Sequence, residues 1–303
     1  MRFITPFPNI SEGMRIMLLL ALIIVGAFVS IGLAFGFYAV FNGPSVFQLP
    51  SLMNDINFIR VMQIFNQLGM FIVPAFLIAY LTSSKPVKYL SFQASLPVNY
   101  LLTFILIIFI SPFISSLMEL NETMKLPESL KHLEQWMQGM EESSNKLVER
   151  MLAYTDVWSV TINIIMIVIL PAVGEELLFR SILIKSFSKI FKNAHLAVWF
   201  AAILFSAFHM QFYGFLPRLV LGLMFGYIFI YSGSIWVPIL AHFINNGTVV
   251  VLTYLNNSGV IHQAPDDVGK VNSIWMIIAS AVISLFLIWY MARINKLRPS
   301  EIS

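Results

Sequence analysis

Glu175, Glu176 and Arg180 lie within six positions of one another in the stretch PAVGEELLFRSIL (171–183), directly after a run from Val157 to Gly174 that carries no charge. Ionisable side chains in sequence apolar enough for lipid are rare and expensive, so each is a functional candidate. Few others share such a setting: His209 in FSAFHM, and His242 with Asn246 in AHFINN. On a helix Glu176 and Arg180 stand four residues apart with the acid first, the better order for a pair along one face. Glu175 is turned about 100° away and keeps its carboxylate free of that partner. His242 and Asn246 are also four apart and present an imidazole and a carboxamide to one point. A carboxylate in a low-dielectric cleft can take a proton from water. Two histidines with a glutamate, Glu175, His209 and His242, are a set that binds zinc and leaves a position open for water. Asn246 and a histidine can instead donate hydrogen bonds to an oxyanion. Each option describes hydrolysis of a carbonyl compound, most naturally a peptide bond. The plainer reading is a set of buried ion pairs and histidines that fix helix register. His132, His195 and His262 fall in loops or at helix ends and read as surface residues.

The elements that position these groups must be membrane helices. The chain is 58% hydrophobic and only 11% charged, against about a quarter charged in a soluble domain. A mean hydropathy of +0.83 points to several bilayer spans. The expectation is an all-α, polytopic membrane bundle of about eight transmembrane helices, near 16–41, 61–82, 98–118, 157–188, 196–214, 216–232, 235–254 and 272–292. The first run is too long for the core of a signal peptide and reads as a retained helix. Pro171 sits inside the long fourth run, which has length to kink or tilt. Three regions follow: 1–156, with three spans and an outer loop at 119–156; a core at 157–254; and 255–303 with the last span and a tail. Cysteine is absent, which excludes thiol catalysis, disulfides and thiolate-bound metal.

Lys and Arg set the orientation. Arg2, Arg15, Lys85, Lys88, Lys185, Lys189, Lys192, Arg293, Lys296 and Arg298 gather on one side if eight helices alternate, and that side is cytoplasmic. Both termini are then cytoplasmic, and the protein is expected in the inner membrane of a bacterial cell. Arg60 and Arg218 fall on the outer side and read as snorkelling residues at the interface. Counting inward, Glu175 lies about 15 Å from Lys185, His242 about 12 Å from Ser234 and His209 about 20 Å from His195. The three groups should meet at similar depth, nearer the cytoplasmic half. In the outer loop Leu126, Leu130, Leu133, Met137 and Met140 recur at helical spacing, as in an amphipathic helix lying on the membrane or capping the bundle. Gly32 with Gly36, and Gly222 with Gly226, are small-xxx-small pairs expected at close helix contacts.

Glu175-Glu176-x-x-x-Arg180, Phe205-x-x-x-His209 and His242-x-x-x-Asn246, in that order and in successive spans, resemble the three motifs of the CPBP family. These are the CAAX prenyl proteases of the Ras-converting type and the bacteriocin-processing Abi proteins, and the resemblance covers roughly 157–254. It implies a membrane-embedded endopeptidase in which Glu175 activates water and His209 lies across that water. His242 and Asn246 polarise the carbonyl or hold the oxyanion, and Glu176 with Arg180 supports. Both a zinc-dependent and a metal-free glutamate mechanism are consistent with it. The expected partners are the lipid bilayer and a peptide or membrane-protein substrate, such as a leader peptide or a membrane-protein terminus, and no nucleic acid. Signatures of other intramembrane proteases are missing: no His-Glu-x-x-His, Gly-x-Gly-Asp or Gly-x-Ser-x-Gly occurs. The alternatives are a catalytically silent scaffold or immunity protein of the same family and a proton-coupled transporter. Against the transporter, the first three spans carry no charge and no inverted repeat of broken helices is visible.

Overall fold

The structure is a computed structural model that describes residues 6–43, 52, 54–262 and 267–295. Arg2, Lys296 and Arg298, which entered the orientation argument, lie outside the described residues. Among the described residues nine principal helices follow one another: α1 Glu12–Asn42, α2 Ile56–Thr82, α3 Pro97–Glu122, α4 Lys131–Leu152, α5 Val157–Phe191, α6 Ala194–Phe208, α7 Phe215–Ser232, α8 Trp236–Asn257 and α9 Ile274–Asn295. Seven of them are long and apolar enough to cross a membrane, and α6 is a shorter apolar helix. This is the multi-pass helical bundle that composition and span lengths require. α6 stops at Phe208 instead of running to 214 because Met210 turns into the left-handed region at φ 53°, which ends a helix.

α5 is the centre of the bundle. Every residue from Gly174 to Ile184 is buried, as expected of a helix enclosed on all sides. α2, α6 and α8 pack around it, α1 lies against α2 and the end of α5, and α3, α7 and α9 complete the far side. The outward faces are apolar, with Phe28 73% and Trp275 77% exposed, which suits lipid contact.

Two spans are broken in the same manner. α2 contains a π-turn at Leu68–Ile72 and α5 another at Ile164–Ile169, with Pro74 and Pro171 each second in the α-segment that follows. Proline lacks an N–H and crowds the carbonyl four residues back, and the wider turn relieves that crowding. The two broken helices cross at Gly174, where a Cβ would stand 2.9 Å from Phe71 Cβ and 3.0 Å from Ile72 Cγ1. A third π-segment, Leu177–Ile184, follows the two glutamates. The Gly222 and Gly226 pair marks a close contact: a Cβ at Gly222 would meet Ala202 Cβ at 3.2 Å, and one at Gly226 would meet Val198 Cγ1 at 2.7 Å. Gly32 and Gly36 face nothing within 4 Å. The close approach of α1 is instead at Gly26 against the Gly69 backbone, nearly two turns before the expected pair.

The outer loop does form an amphipathic helix, α4, and its two ends are held differently. Met151 and Leu152 are buried, and their carbonyls accept from Arg60 Nη2 (3.3 Å), Asn163 Nδ2 (2.8 Å) and Asn257 Nδ2 (3.1 Å). Arg60 is therefore no snorkelling residue. It is 4% exposed, donates also to Ser159 Oγ and lies 5.1 Å from the centre of the Tyr154 ring. The forward part of α4 touches the bundle through polar groups: Tyr213 N donates to Glu141 (3.0 Å) and Gln138 donates to the Tyr213 hydroxyl (2.8 Å). Leu133, Trp136 and Met140 stay exposed.

Candidate active site

The site grows from the order of residues on α5. Glu176 is fully buried and is the hub. Arg180 Nε stands 2.9 Å from its Oε2, the pairing that the four-residue spacing implies, and His242 Nδ1 donates to its Oε1 at 2.9 Å. One carboxylate thus ties α5 to itself and to α8. Arg180 is enclosed by aromatic rings, 4.6 Å from the centre of Phe205, 5.4 Å from Phe225 and 5.8 Å from Phe179. Ring faces are favourable neighbours for a guanidinium. Phe225 stacks on His242 at 5.4 Å, and Phe205 meets the His209 ring edge-on at 5.0 Å. Phe205 therefore links Arg180 to His209, which gives that motif phenylalanine a physical task.

Glu175 is 7% exposed and has no hydrogen bond or ion pair among the described residues. It lies within electrostatic reach of His209 and of Arg218. His209, half-buried at the end of α6, donates from Nδ1 to the Phe205 carbonyl at 2.8 Å. Both imidazoles are thus committed through Nδ1, and in the neutral ring both offer Nε2 as a lone pair. His209 closes the end of α6 away from His195, and the loop behind it touches α4. The site therefore reaches toward the α4 end of the bundle.

Asn246 is placed by a backbone defect. Pro171 cannot donate to the carbonyl of Ile167, four residues back, and Asn246 Nδ2 donates to that carbonyl at 3.0 Å. Its Oδ1 accepts from Asn245 (3.1 Å), leaving one amide N–H uncommitted.

Sequence reasoning missed Arg218 as a site residue. It is half-buried near the start of α7, not spread along an interface, and its guanidinium lies on Gly214. Its Nη2 donates to Gln211, and its Nη1 is buried without a partner. The signal that could have exposed it is its place, nine residues past His209 beside a glycine.

The donor types at Glu175, His209 and His242 are those zinc takes, and the fixed Nδ1 bonds are what orients such ligands. Among the described residues, however, no three His, Asp or Glu side chains converge closely enough to hold an ion. An apolar groove of about 440 Å³ is lined by Ala172 and Val173 of α5, just before the glutamates in the chain, by Ile239 and Phe243 of α8, and by Trp236 and Tyr100.

Comparison with known proteins bears on this core. The sequence model of the Rce1-like family, described as type II CAAX prenyl endopeptidase Rce1-like, matches residues 157–248. Uncharacterized protein YpbD of Bacillus subtilis (strain 168) is 29% identical over 86 residues, which are 27% of this chain and 41% of that protein. The chain thus matches less than half the length of this relative. No solved structure matches.

Proposed function

We propose that this chain, whose segment 157–248 belongs to the CPBP family of CAAX-type proteases, is a membrane-embedded endopeptidase that uses Glu175 to activate water. What carries the reading is the contrast between adjacent acids: Glu176 is engaged by Arg180 and His242, while Glu175 is buried and unpaired among the described residues. Water donates one hydrogen to Glu175 and the other to His209 Nε2, which turns an oxygen lone pair toward the substrate carbonyl. Attack transfers a proton to Glu175 and places negative charge on the carbonyl oxygen. The free N–H of Asn246 and the Nε2 side of His242, when that ring carries both protons, receive the charge. The Glu176 carboxylate on Nδ1 gives the doubly protonated ring an anionic partner. Glu175 then returns its proton to the amide nitrogen, the C–N bond breaks as the carbonyl re-forms, and an amine and a carboxylic acid leave. Every step is carried by the chain's own groups.

The substrate class is a membrane-associated or leader-type peptide in the inner membrane, with both termini of the enzyme on the cytoplasmic side. The apolar groove beside Ala172 and Val173 supports entry of an apolar segment from the bilayer. Mass spectrometry of membrane proteins from cells carrying wild type or Glu175→Ala tests the reading. New termini that depend on Glu175 are expected, and identical peptide ends in both strains overturn it. A zinc-dependent variant of the same chemistry is checked by elemental analysis of purified protein beside a His209→Ala, His242→Ala double substitution.

A further inference from the structure

Arg218 has an arrangement that the reaction above does not use. A guanidinium is always charged, and a cation withdrawn from water is costly unless it is paired. Arg218 has no carboxylate within ion-pairing distance among the described residues, and its one hydrogen bond is to the neutral amide of Gln211. One of its buried nitrogens has no acceptor. The surroundings hold it in this state. Gly214 leaves the space the head group fills: a Cβ there would stand 2.7 Å from Arg218 Cζ and 2.9 Å from Nη2. Ser206 Oγ donates to the Phe215 carbonyl at 2.7 Å and closes the loop that carries Gln211 and Gly214. His209, Glu175 and Glu141 all lie within reach of its field. A planar fork of donors with a vacant N–H is suited to a carboxylate, which it can take through two parallel hydrogen bonds.

We propose that Arg218, backed by Gln211 and cradled by Gly214, is a carboxylate-binding subsite that holds an anionic group of the substrate beside Glu175. The inference rests on the proteolytic reading and adds a specificity determinant to it. The carboxylate comes either from the end of the substrate chain or from an Asp or Glu side chain, and one chemistry serves both.

The test uses the full-length chain in detergent micelles with Glu175→Gln, so that nothing is consumed. Three pools of short apolar peptides are compared for binding: free-acid ends, carboxamide ends, and carboxamide ends with one internal Glu. A charge-assisted hydrogen bond makes the preferred acid-bearing pool about ten- to a hundredfold tighter than the plain carboxamide pool. Which acid-bearing pool gains identifies the source of the carboxylate. Adding Arg218→Gln should equalise the pools, and Arg218→Lys, which keeps charge but loses the fork, should retain only part of the preference. Equal binding by all pools, no binding by any, or a preference that survives Arg218→Gln overturns the proposal. If Arg218→Gln fails to fold, the comparison in the Arg218-bearing protein and the Arg218→Lys variant decide. Wild-type protein is given the same pools in parallel. Cleavage without acid preference removes the subsite and leaves the protease, whereas acid-selective binding without cleavage leaves the subsite and removes the protease.

Discussion

Two acid–arginine groupings lie within electrostatic reach of Glu175, and they are built in opposite ways. Glu176 and Arg180 sit on one helix, are 0% and 1% exposed, and make contact at 2.9 Å inside a ring of phenylalanines. Arg218 and Glu141 sit on different elements, α7 and α4, feel each other's charge, and do not pair. The closed grouping uses its charges up. Its acid holds His242, its base fills an aromatic cage, and burial on all sides keeps both from any reactant. The open grouping leaves its guanidinium without a carboxylate in contact among the described residues and only half-buried. Fixed charge positions the catalytic groups, and spare charge is available to a ligand.

The largest effect expected from this contrast is at the residue that both groupings reach. Glu175→Gln should lower cleavage by about 10²–10⁴-fold, the usual worth of a positioned acid–base group, with the melting temperature unchanged. A variant at wild-type turnover would show that the unpaired acid is idle. Next comes the closed pair. Arg180→Ala leaves Glu176 charged and buried, which costs about 3–5 kcal/mol when one partner of a buried pair is lost. Arg218→Ala should cost far less in the same melting assay, because no ion pair is broken. Equal losses would erase the distinction between closed and open.

Asn246→Ala should be intermediate in stability, since it strands the Ile167 carbonyl at a cost of about 1–3 kcal/mol. Combining it with Pro171→Ala, which restores a backbone donor, should return part of that loss. A double substitution no more stable than Asn246→Ala alone would disprove the link between the proline and the amide. The smallest effect belongs to α4. Tyr213→Phe removes the hydroxyl that accepts from Gln138 and donates to Glu134 at the exposed end of the open grouping, about 0.5–1.5 kcal/mol for each bond at most. It should appear as faster proteolytic nicking of the 131–145 segment with little change in melting, and unchanged nicking would mean that α4 is held by other contacts.

The spans and the Glu176–Arg180 pair could be read from the sequence because both depend on local rules, apolar length and four-residue spacing. The bond from Glu176 to His242 could not, because 66 residues separate the partners and only packing decides which face of α8 meets α5. Arg60 and Arg218 were misread for a related reason. An arginine near the end of a span looks alike whether it reaches outward to water or inward to Ser159 and Gln211. The glycines teach the same lesson, since Gly32 and Gly36 have the spacing of a contact and no neighbour, while the approach falls at Gly26. Spacing states which residues share a face. It does not state what lies opposite.

The π-turn at Ile164–Ile169 has a consequence for how the chain can vary in length. Such a turn is an α-helix holding one surplus residue. Removing that residue would let the hydrogen-bond ladder close normally and leave everything beyond it in phase, because the wide turn absorbs the extra residue locally. A residue removed from the regular helix past the turn, within Leu170–Gly174, has no such buffer, and everything beyond it would rotate by about 100° and shift by about 1.5 Å. Held at its Asp156 cap, α5 would then point Glu176 where Glu175 now points and separate Arg180 from its aromatic cage. The helix behaves as an indexed shaft with one slack tooth. A one-residue deletion within 170–174 should be as inactivating as removal of Glu175, while one within 164–169 should retain far more activity.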